Sequence, residues 1–401
     1  MQLNNYVIIV SQFLGPLSDL IKEMISSGLK VILISGERIN VESNDLIYFQ
    51  GPRYNRKNIF TRFNTWLKFV LFSFNRIRKL NKHSLILFTT NPPFLPWLGM
   101  YFTLIRNQQY LVRILDIYPD VLVWAGVISK KNPINNIWIK LNSLSYDRAR
   151  KVICIGRFMA EKINFVFHAG KNMKMVVVPD WANTEYLKPI AKENNPFVKK
   201  YSLLQGITIM YSGNIGISHD LSMLINLAEL LNGDNRFQFV IVSEGPKKDS
   251  LKNESTKRHL NNILFLPYQD INNFNYSIAS ADISVISLSK GSEKNMMPCK
   301  TYSGMAVGSV IFGISQPPND VEYIINKYKC GFNVVPDDIN SALEMLNILA
   351  DNPELLIEYK RNSRRNAEKY FSSSVNTRKI IDIIKKGNNR NFHNNKILVD
   401  K

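Results

Sequence analysis

The chain has 401 residues, of which 45% are hydrophobic, 11% aromatic and 21% charged. That size and composition point to two folded domains and exclude a disordered chain, a collagen-like chain and a small disulfide scaffold. The formal charge is +19, unevenly spread: residues 51–200 carry 25 Lys and Arg against 7 Asp and Glu, and residues 201–350 carry 11 against 14. A basic half attracts nucleic acid, anionic lipid or phosphate-bearing substrates. Cys154, Cys299 and Cys330 are far apart with no metal-ligand spacing, which fits a reducing compartment and no zinc site. Met1–Asn5 has no basic region of a signal peptide. No apolar run reaches the ~18 residues of a membrane span. The expectation is a cytoplasmic protein.

In chain order, Tyr6–Val10 reads as a strand, Leu17–Ser27 as a helix with apolar residues three and four apart, and Val31–Ser35 as a strand. Gly28 suits the end of that helix. Leu85–Phe88, Tyr110–Leu115, Val152–Ile155 and Met175–Val178 are further strands, with a helix near Trp97–Ile105. The pattern then restarts. Strands are expected at Ile207–Tyr211, Phe237–Val242, Ile263–Leu266, Ile283–Ile286, Val310–Phe312 and Gly331–Val334. Helices are expected at Asp220–Leu231, from Lys247, and at Ile271–Ala279. Alternating strands and helices imply parallel sheets with right-handed crossovers. Two such series predict an α/β chain of two doubly wound parallel-sheet domains. The polar stretch Lys188–Tyr201, with Pro189 and Pro196, marks the join. The expected domains are residues 1–188, 189–370 and a C-terminal helix from 371 packing back on the first, ending in a frayed tail at Gly387–Lys401.

The strongest local signal is Tyr211-Ser212-Gly213-Asn214-Ile215-Gly216, after a strand and before a helix. Glycine allows close backbone approach to a ligand, and free N–H groups at a helix start favour an anion such as a diphosphate. The same residues also suit an ordinary tight turn. Ser243-Glu244-Gly245-Pro246 follows another strand, where Gly-Pro marks many turns. Pro298-Cys299-Lys300-Thr301-Tyr302 precedes Met305-Ala306-Val307-Gly308. Lysine there suits a phosphate as a point charge, or is a solvated surface residue.

Together with Phe265–Tyr268 and Ala281–Ile283, these segments resemble the donor domain of retaining glycosyltransferases of family 4, which have the two-domain GT-B fold. In the first half, Asp116-Ile117-Tyr118-Pro119-Asp120 and Val178–Thr184 (VPDWANT) resemble family segments too. The resemblance covers about residues 5–385. Within the family the chain looks like transferases of O-antigen clusters, including those for N-acetyl-L-fucosamine. It implies two domains facing a cleft and transfer of a sugar, with retention, from a nucleotide diphosphate sugar, a UDP-sugar being favoured. No metal or other cofactor is implied, because helix N-termini and basic side chains neutralise the leaving diphosphate.

The roles the resemblance implies are as follows. Gly213 and Asn214 meet the phosphate through the backbone, and Lys300 offsets its charge. Glu244, Gly245, Pro246 and Tyr268 border the base, and Pro298 and Thr301 belong to the donor site. Asp116 lies across the cleft near the acceptor and reacting centre. The chain also departs from the family pattern. Asn214 stands where many members have Arg, and the next basic position falls near His219, which either donates to a phosphate or caps a helix. Lys290 or Lys294 then supplies charge beside Lys300. The usual pair of glutamates aligns with Asn295 and Ser303, and Glu293, near but out of register, is the candidate to touch the donor sugar.

Residues 53–82 hold nine Lys and Arg and no acid, interleaved with Phe60, Phe63, Trp66, Phe69, Phe72 and Phe74. Ile59, Phe63, Trp66, Val70 and Phe74 share one face of a helix. A basic amphipathic helix with Trp and Phe fits a membrane interface, with Arg62, Trp66, Lys68 and Arg76 meeting lipid or acceptor. A core helix with a solvated basic face has the same pattern.

The expectation is therefore a peripheral enzyme on the inner face of a bacterial plasma membrane. It would extend an undecaprenyl-diphosphate-linked glycan in O-antigen or capsule synthesis. The alternatives are a non-catalytic nucleic-acid or membrane binder and a GT-B nucleotide-sugar epimerase. No helix-turn-helix, zinc or RNP pattern supports a nucleic-acid partner. Residues 298–308 lack the paired carboxylates an epimerase needs.

Overall fold

The computed structural model describes residues 6–55, 57–167, 173–216, 220–245 and 247–386. Its contacts divide the chain into two units, residues 1–179 with 376–401, and residues 180–375. The expected join at 188/189 lies later than the division at 179/180. The reason is in residues 180–187. Asp180 and Trp181 are buried. The Ala182 N–H donates to the Phe371 carbonyl and the Ser373 N–H to the Ala182 carbonyl, both at 2.9 Å. Arg364 donates to the carbonyls of Leu187 and Thr184. These bonds stitch the segment into the second unit. The tail Gly387–Lys401 lies outside the described residues.

Unit 1 holds β1 (Tyr6–Ser11), β2 (Lys30–Ser35), β3 (Leu46–Gln50), β4 (Leu85–Thr89), β5 (Tyr110–Ile114), β6 (Lys151–Cys154) and β7 (Met175–Val177). They form a parallel sheet in the order β3-β2-β1-β4-β5-β6-β7. Val31–Ile34 of β2 is wholly buried, as expected for a parallel strand covered on both faces. Helix α1 (Leu17–Ser26) buries Leu17, Leu20, Ile21 and Met24. The helix Ser373–Lys386 belongs to this unit from Asn376 onward, and its Arg378 pairs with Glu23 of α1 at 3.4 Å.

Unit 2 holds β8 (Ile207–Ser212), β9 (Phe237–Val242), β10 (Ile263–Leu266), β11 (Ile283–Ser287), β12 (Val310–Ile314) and β13 (Gly331–Val334). The parallel order is β10-β9-β8-β11-β12-β13. The direction of winding reverses between β8 and β11, the place where open α/β sheets take ligands at their carboxyl ends.

All twelve strands read from the sequence form, within a residue or two of their expected ends. The strand β3 was not foreseen, because Leu46-Ile47-Tyr48-Phe49 is a half-buried edge strand after a long polar loop. The helix Pro133–Arg148 was not foreseen either. Its buried face is Asn135, Trp138, Asn142, Ser145 and Tyr146, which gives no apolar period. Asn142 accepts from the Trp97 indole N–H and donates to the Tyr118 carbonyl, each at 2.8 Å.

The basic aromatic segment forms helix α2 (Ile59–Ile77), opened by Asn58, whose side chain caps the Thr61 N–H at 2.9 Å. The face it buries differs from the expected one. Trp66, Phe69, Ser73 and Ile77 are buried, and Phe63 and Ile59 are exposed. Trp66 is 2% exposed and packs edge-on against Tyr118 and Phe94. It is a core residue and does not meet lipid. Among the described residues no helix is long and apolar enough to cross a membrane.

Asp282, at the start of β11, accepts from Lys192 at 2.6 Å, Lys360 at 2.8 Å and the Thr208 N–H at 2.9 Å. Burial would raise its carboxyl pKa, but the two ammonium groups hold it below the usual value. Replacing Asp282 by Asn leaves both cations unpaired and is expected to cost about 3 kcal/mol, read as a lower urea midpoint at unchanged slope. Because the folded-state pKa is lowered, the wild-type contribution is complete above the ordinary carboxylate pKa. It is lost as pH falls through the lowered one.

Candidate active site

The site is built at the carboxyl end of β8. The chain leaves the strand through Gly213, whose φ of +144° belongs to glycine. A Cβ there would sit 3.0 Å from the Lys300 Nζ, so the missing side chain is what admits the ammonium. The neighbouring turn after β9 bends through Gly245 at φ +129°, where a Cβ would meet Asn214 Oδ1 at 2.9 Å. The two turns are tied by the Ile215 N–H donating to the Glu244 carbonyl at 3.1 Å.

Lys300 opens the short helix Lys300–Ala306 that follows β11. Its Nζ donates to the Tyr211 hydroxyl at 2.8 Å and lies 4.0 Å from that ring's centroid. The Tyr211 hydroxyl in turn donates to the Asn214 carbonyl at 2.9 Å. Burial pushes the Tyr211 phenol up, so it remains a donor. Withdrawal from water lowers the Lys300 pKa to about 7. Among the described residues no carboxylate lies within ion-pair distance of this ammonium.

A cavity of about 460 Å³ opens beside these groups. Ser212, Gly213 and Asn214 line one side, Tyr268 and Gln269 another, and Lys300, Ser303 and Gly304 the helix side. Four of the expected donor residues thus come together: Gly213, Asn214, Tyr268 and Lys300. The Gly213 N–H, expected on a phosphate, instead donates to the Val242 carbonyl at 3.0 Å. It is spent in the sheet, and Gly213 serves by making room. For the Asn214 N–H no protein partner is found among the described residues.

Other expected donor residues lie elsewhere. Thr301 is fully buried, its hydroxyl without a partner, and does not line the cavity. Pro298 is buried, and its carbonyl accepts from the Thr301 N–H at 3.1 Å. Glu244 is exposed, with its carboxylate on Lys248 at 3.3 Å. Glu293 is only 7% exposed, and its Oε1 has no hydrogen-bond partner, but it does not line the cavity. His219 and Pro246 lie outside the described residues.

Asp116 belongs to unit 1. It is half-buried just past the carboxyl end of β5, with its backbone bonded to the Thr90 hydroxyl. Arg62 is half-buried, Lys68 exposed, and Arg76 stacks its guanidinium over Phe49 and Phe72 at 4.9 and 5.2 Å. Ser212 and Gln269 went unread in the sequence as site residues, and Ser303 was read only as the position aligned with a family glutamate. Ser303 had a usable signal, since it stands three residues after Lys300 and so on the same helix face.

Residues 195–369 match the family model described as glycosyl transferases group 1. The chain carries a glycosyltransferase domain. By that domain it is an enzyme of glycosyl transfer. It is 24% identical over 323 residues to a probable glycosyltransferase, WbjE, of Pseudomonas aeruginosa, covering 78% of each chain. It is 31% identical over 208 residues to a putative colanic acid biosynthesis glycosyl transferase, WcaI, of Escherichia coli (strain K12), covering 51% of this chain and 50% of that one.

Two solved structures show the same fold. Sucrose-phosphate synthase from Thermosynechococcus elongatus superposes with a TM-score of 0.76 at 13% identity, covering 96% of this chain and 99% of that one. Anabaena Alr3699/HepE in complex with UDP and glucose gives 0.71 at 11% identity, covering 96% and 100%. Both units of this glycosyltransferase are therefore Rossmann-like layers, with GT-B enzymes as structural neighbours.

Tyr211→Phe removes the oxygen that joins Lys300 to the Asn214 turn of this transferase domain. Two polar groups then lose a partner, at an expected cost of about 1–3 kcal/mol in urea unfolding.

Proposed function

We propose that the chain is a retaining glycosyltransferase that uses a nucleotide diphosphate sugar, with a UDP-sugar favoured and an acetamido-deoxy sugar as the group moved. The observation that carries this reading is the Lys300 ammonium, held at the cavity beside Gly213 by a phenol and a ring face alone. A cation without a carboxylate, in a half-buried site, favours an anionic ligand. The Asn214 N–H adds a peptide donor to the same place. The cavity is large enough for a nucleoside diphosphate. HepE, of like fold, was solved with UDP and glucose bound.

In the proposed reaction the bond from the sugar's anomeric carbon to the diphosphate oxygen breaks. A bond from the same carbon to the acceptor oxygen forms on the same face. The acceptor's proton passes to the leaving diphosphate, whose charge Lys300 offsets. Lys300 and the Asn214 N–H neutralise the leaving group without a metal. Asp116 is assigned the acceptor side. The acceptor is a lipid-linked glycan of the undecaprenyl-diphosphate kind, met at an anionic inner-membrane surface. The names of the relatives, one of them in colanic acid biosynthesis, support a role in surface polysaccharide assembly, O-antigen or capsule.

The test is calorimetric titration with UDP-, GDP- and dTDP-sugars. One nucleotide class is expected to bind, and Lys300→Ala is expected to lose about 10–150-fold in affinity, as for a charge-assisted hydrogen bond. Binding by no nucleotide sugar overturns the reading. A bound diphosphate favours the charged lysine. Affinity is therefore full below pH 7 and falls as pH rises above the Lys300 pKa of about 7, by up to about tenfold per unit. Lys300→Met is expected to abolish that dependence.

A further inference from the structure

We propose that α2 and α3 (Leu95–Arg106) together form a two-helix face that seats this chain on an anionic lipid bilayer. The inference deepens the membrane-surface part of the proposed function and rests on it. It concerns which surface of unit 1 meets lipid.

Helix α2 presents two apolar stripes. One, Trp66, Phe69 and Ile77, is buried. The other is about a third of a turn away and stays largely exposed, with Phe63 alone of its rings edge-on to Phe94. Phe60 is 83% exposed, Phe63 50%, Leu67 48% and Leu71 54%. Their spacing of three and four residues puts them in one line. A helix that already has a buried stripe needs no second one to fold.

Helix α3 continues the same surface. It runs alongside α2 in the same direction. Phe63 meets Phe94 near the two N-terminal ends, at 5.8 Å between ring centroids. Phe74, near the C-terminal end of α2, meets Tyr101 in the middle of α3 at 5.5 Å. The Arg106 guanidinium donates to the Ile77 carbonyl at 2.9 Å near the C-terminal ends. Tyr101, Leu104 and Ile105 of α3 are 44%, 63% and 68% exposed. Exposed apolar area of this extent marks an interaction site.

The charge around it selects the occupant. Residues 51–115 contain eleven Lys and Arg and no Asp or Glu. Lys57, Lys68, Arg78, Lys79 and Lys82 are exposed on or beside α2. Apolar side chains on a segment whose charges are all positive complement the headgroups and acyl boundary of an anionic leaflet. A 19-residue helix is about 28 Å long and would lie in that plane.

The experiment is sedimentation of the full chain, without donor, with phosphatidylcholine vesicles and with vesicles containing about a third phosphatidylglycerol. Binding to the anionic vesicles alone is expected, falling at least tenfold between ~0.1 and ~0.5 M salt. The double variant Phe60→Ser, Leu71→Ser is expected to lose tenfold or more in partitioning. Leu104→Ser, Ile105→Ser on α3 is expected to lose a similar factor. All these side chains are exposed, and unchanged thermal midpoints establish that the variants fold. Equal binding to both vesicle types, no binding, or full binding by either double variant overturns the proposal. So does a wild-type dimer in sedimentation velocity that the Phe60, Leu71 variant dissolves, because the face is then a contact between copies. Nucleotide-sugar titration in solution is read separately, so failure of the lipid face and failure of the donor site are distinguishable.

Discussion

The hydrogen bond from the Lys300 ammonium to the Tyr211 hydroxyl is the contact on which the candidate site depends. Tyr211 stands on β8 and Lys300 opens the helix after β11. These two strands flank the reversal of the second sheet, so the bond spans the point where the sheet leaves an opening at its carboxyl edge. The same hydroxyl holds the Asn214 carbonyl and so fixes the turn that follows. Gly213 lets the two sides approach, because any Cβ there would meet the ammonium. Fold topology, one phenol and one absent side chain together place a cation where little else neutralises it.

That arrangement costs stability in the empty protein. A lysine drawn out of water without a carboxylate titrates near neutrality. An anion at the ammonium, as proposed, would relieve that cost, so part of the proposed binding preference is stored in the fold as unfavourable desolvation. Elsewhere in the same unit the opposite solution appears. Asp282 is deeply buried but is paired with two lysines, and it anchors the start of β11, the strand that leads to the Lys300 helix. One buried charge is satisfied and supports the scaffold. The other has no carboxylate within ion-pair distance among the described residues, which suits the anionic ligand proposed for it.

Unit 1 makes a similar division with apolar groups. Trp66, Tyr118 and Trp138 pack with Leu122 into a cluster ringed by further aromatic side chains. The stripe through Phe60 and Leu71 on the same helix stays outside it. The sequence displayed all these residues as one basic aromatic segment. It could not separate them, because a helix with apolar groups around much of its circumference has no single preferred rotation. Contact with Phe94 and Tyr118 chose the face that Trp66 buries, and with it the face left outside.

Every described parallel strand but the half-buried edge strand β3 was legible, because a strand covered on both faces is a continuous apolar run, which is local information. The Gly213 turn and Lys300 were legible for the same reason, since strand, glycine and helix start are adjacent in the chain. The helix Pro133–Arg148 was not, because it is held by Asn142 bonds to distant groups rather than by an apolar stripe. Within the site the sequence named Thr301 for the donor, but the fold buries Thr301 off the cavity and brings to it Ser303, the residue aligned with a family glutamate. The Gly213 N–H looked free in the sequence and is consumed by the Val242 carbonyl of the neighbouring strand. The sequence determined which segments form strands, turns and helices and where positive charge collects. The single apolar stripe of α1 fixed its buried face in advance, but only the tertiary structure decided which side of α2 and of the Lys300 helix faces ligand, core or solvent, because there the rotation about the helix axis is set by packing partners far away along the chain.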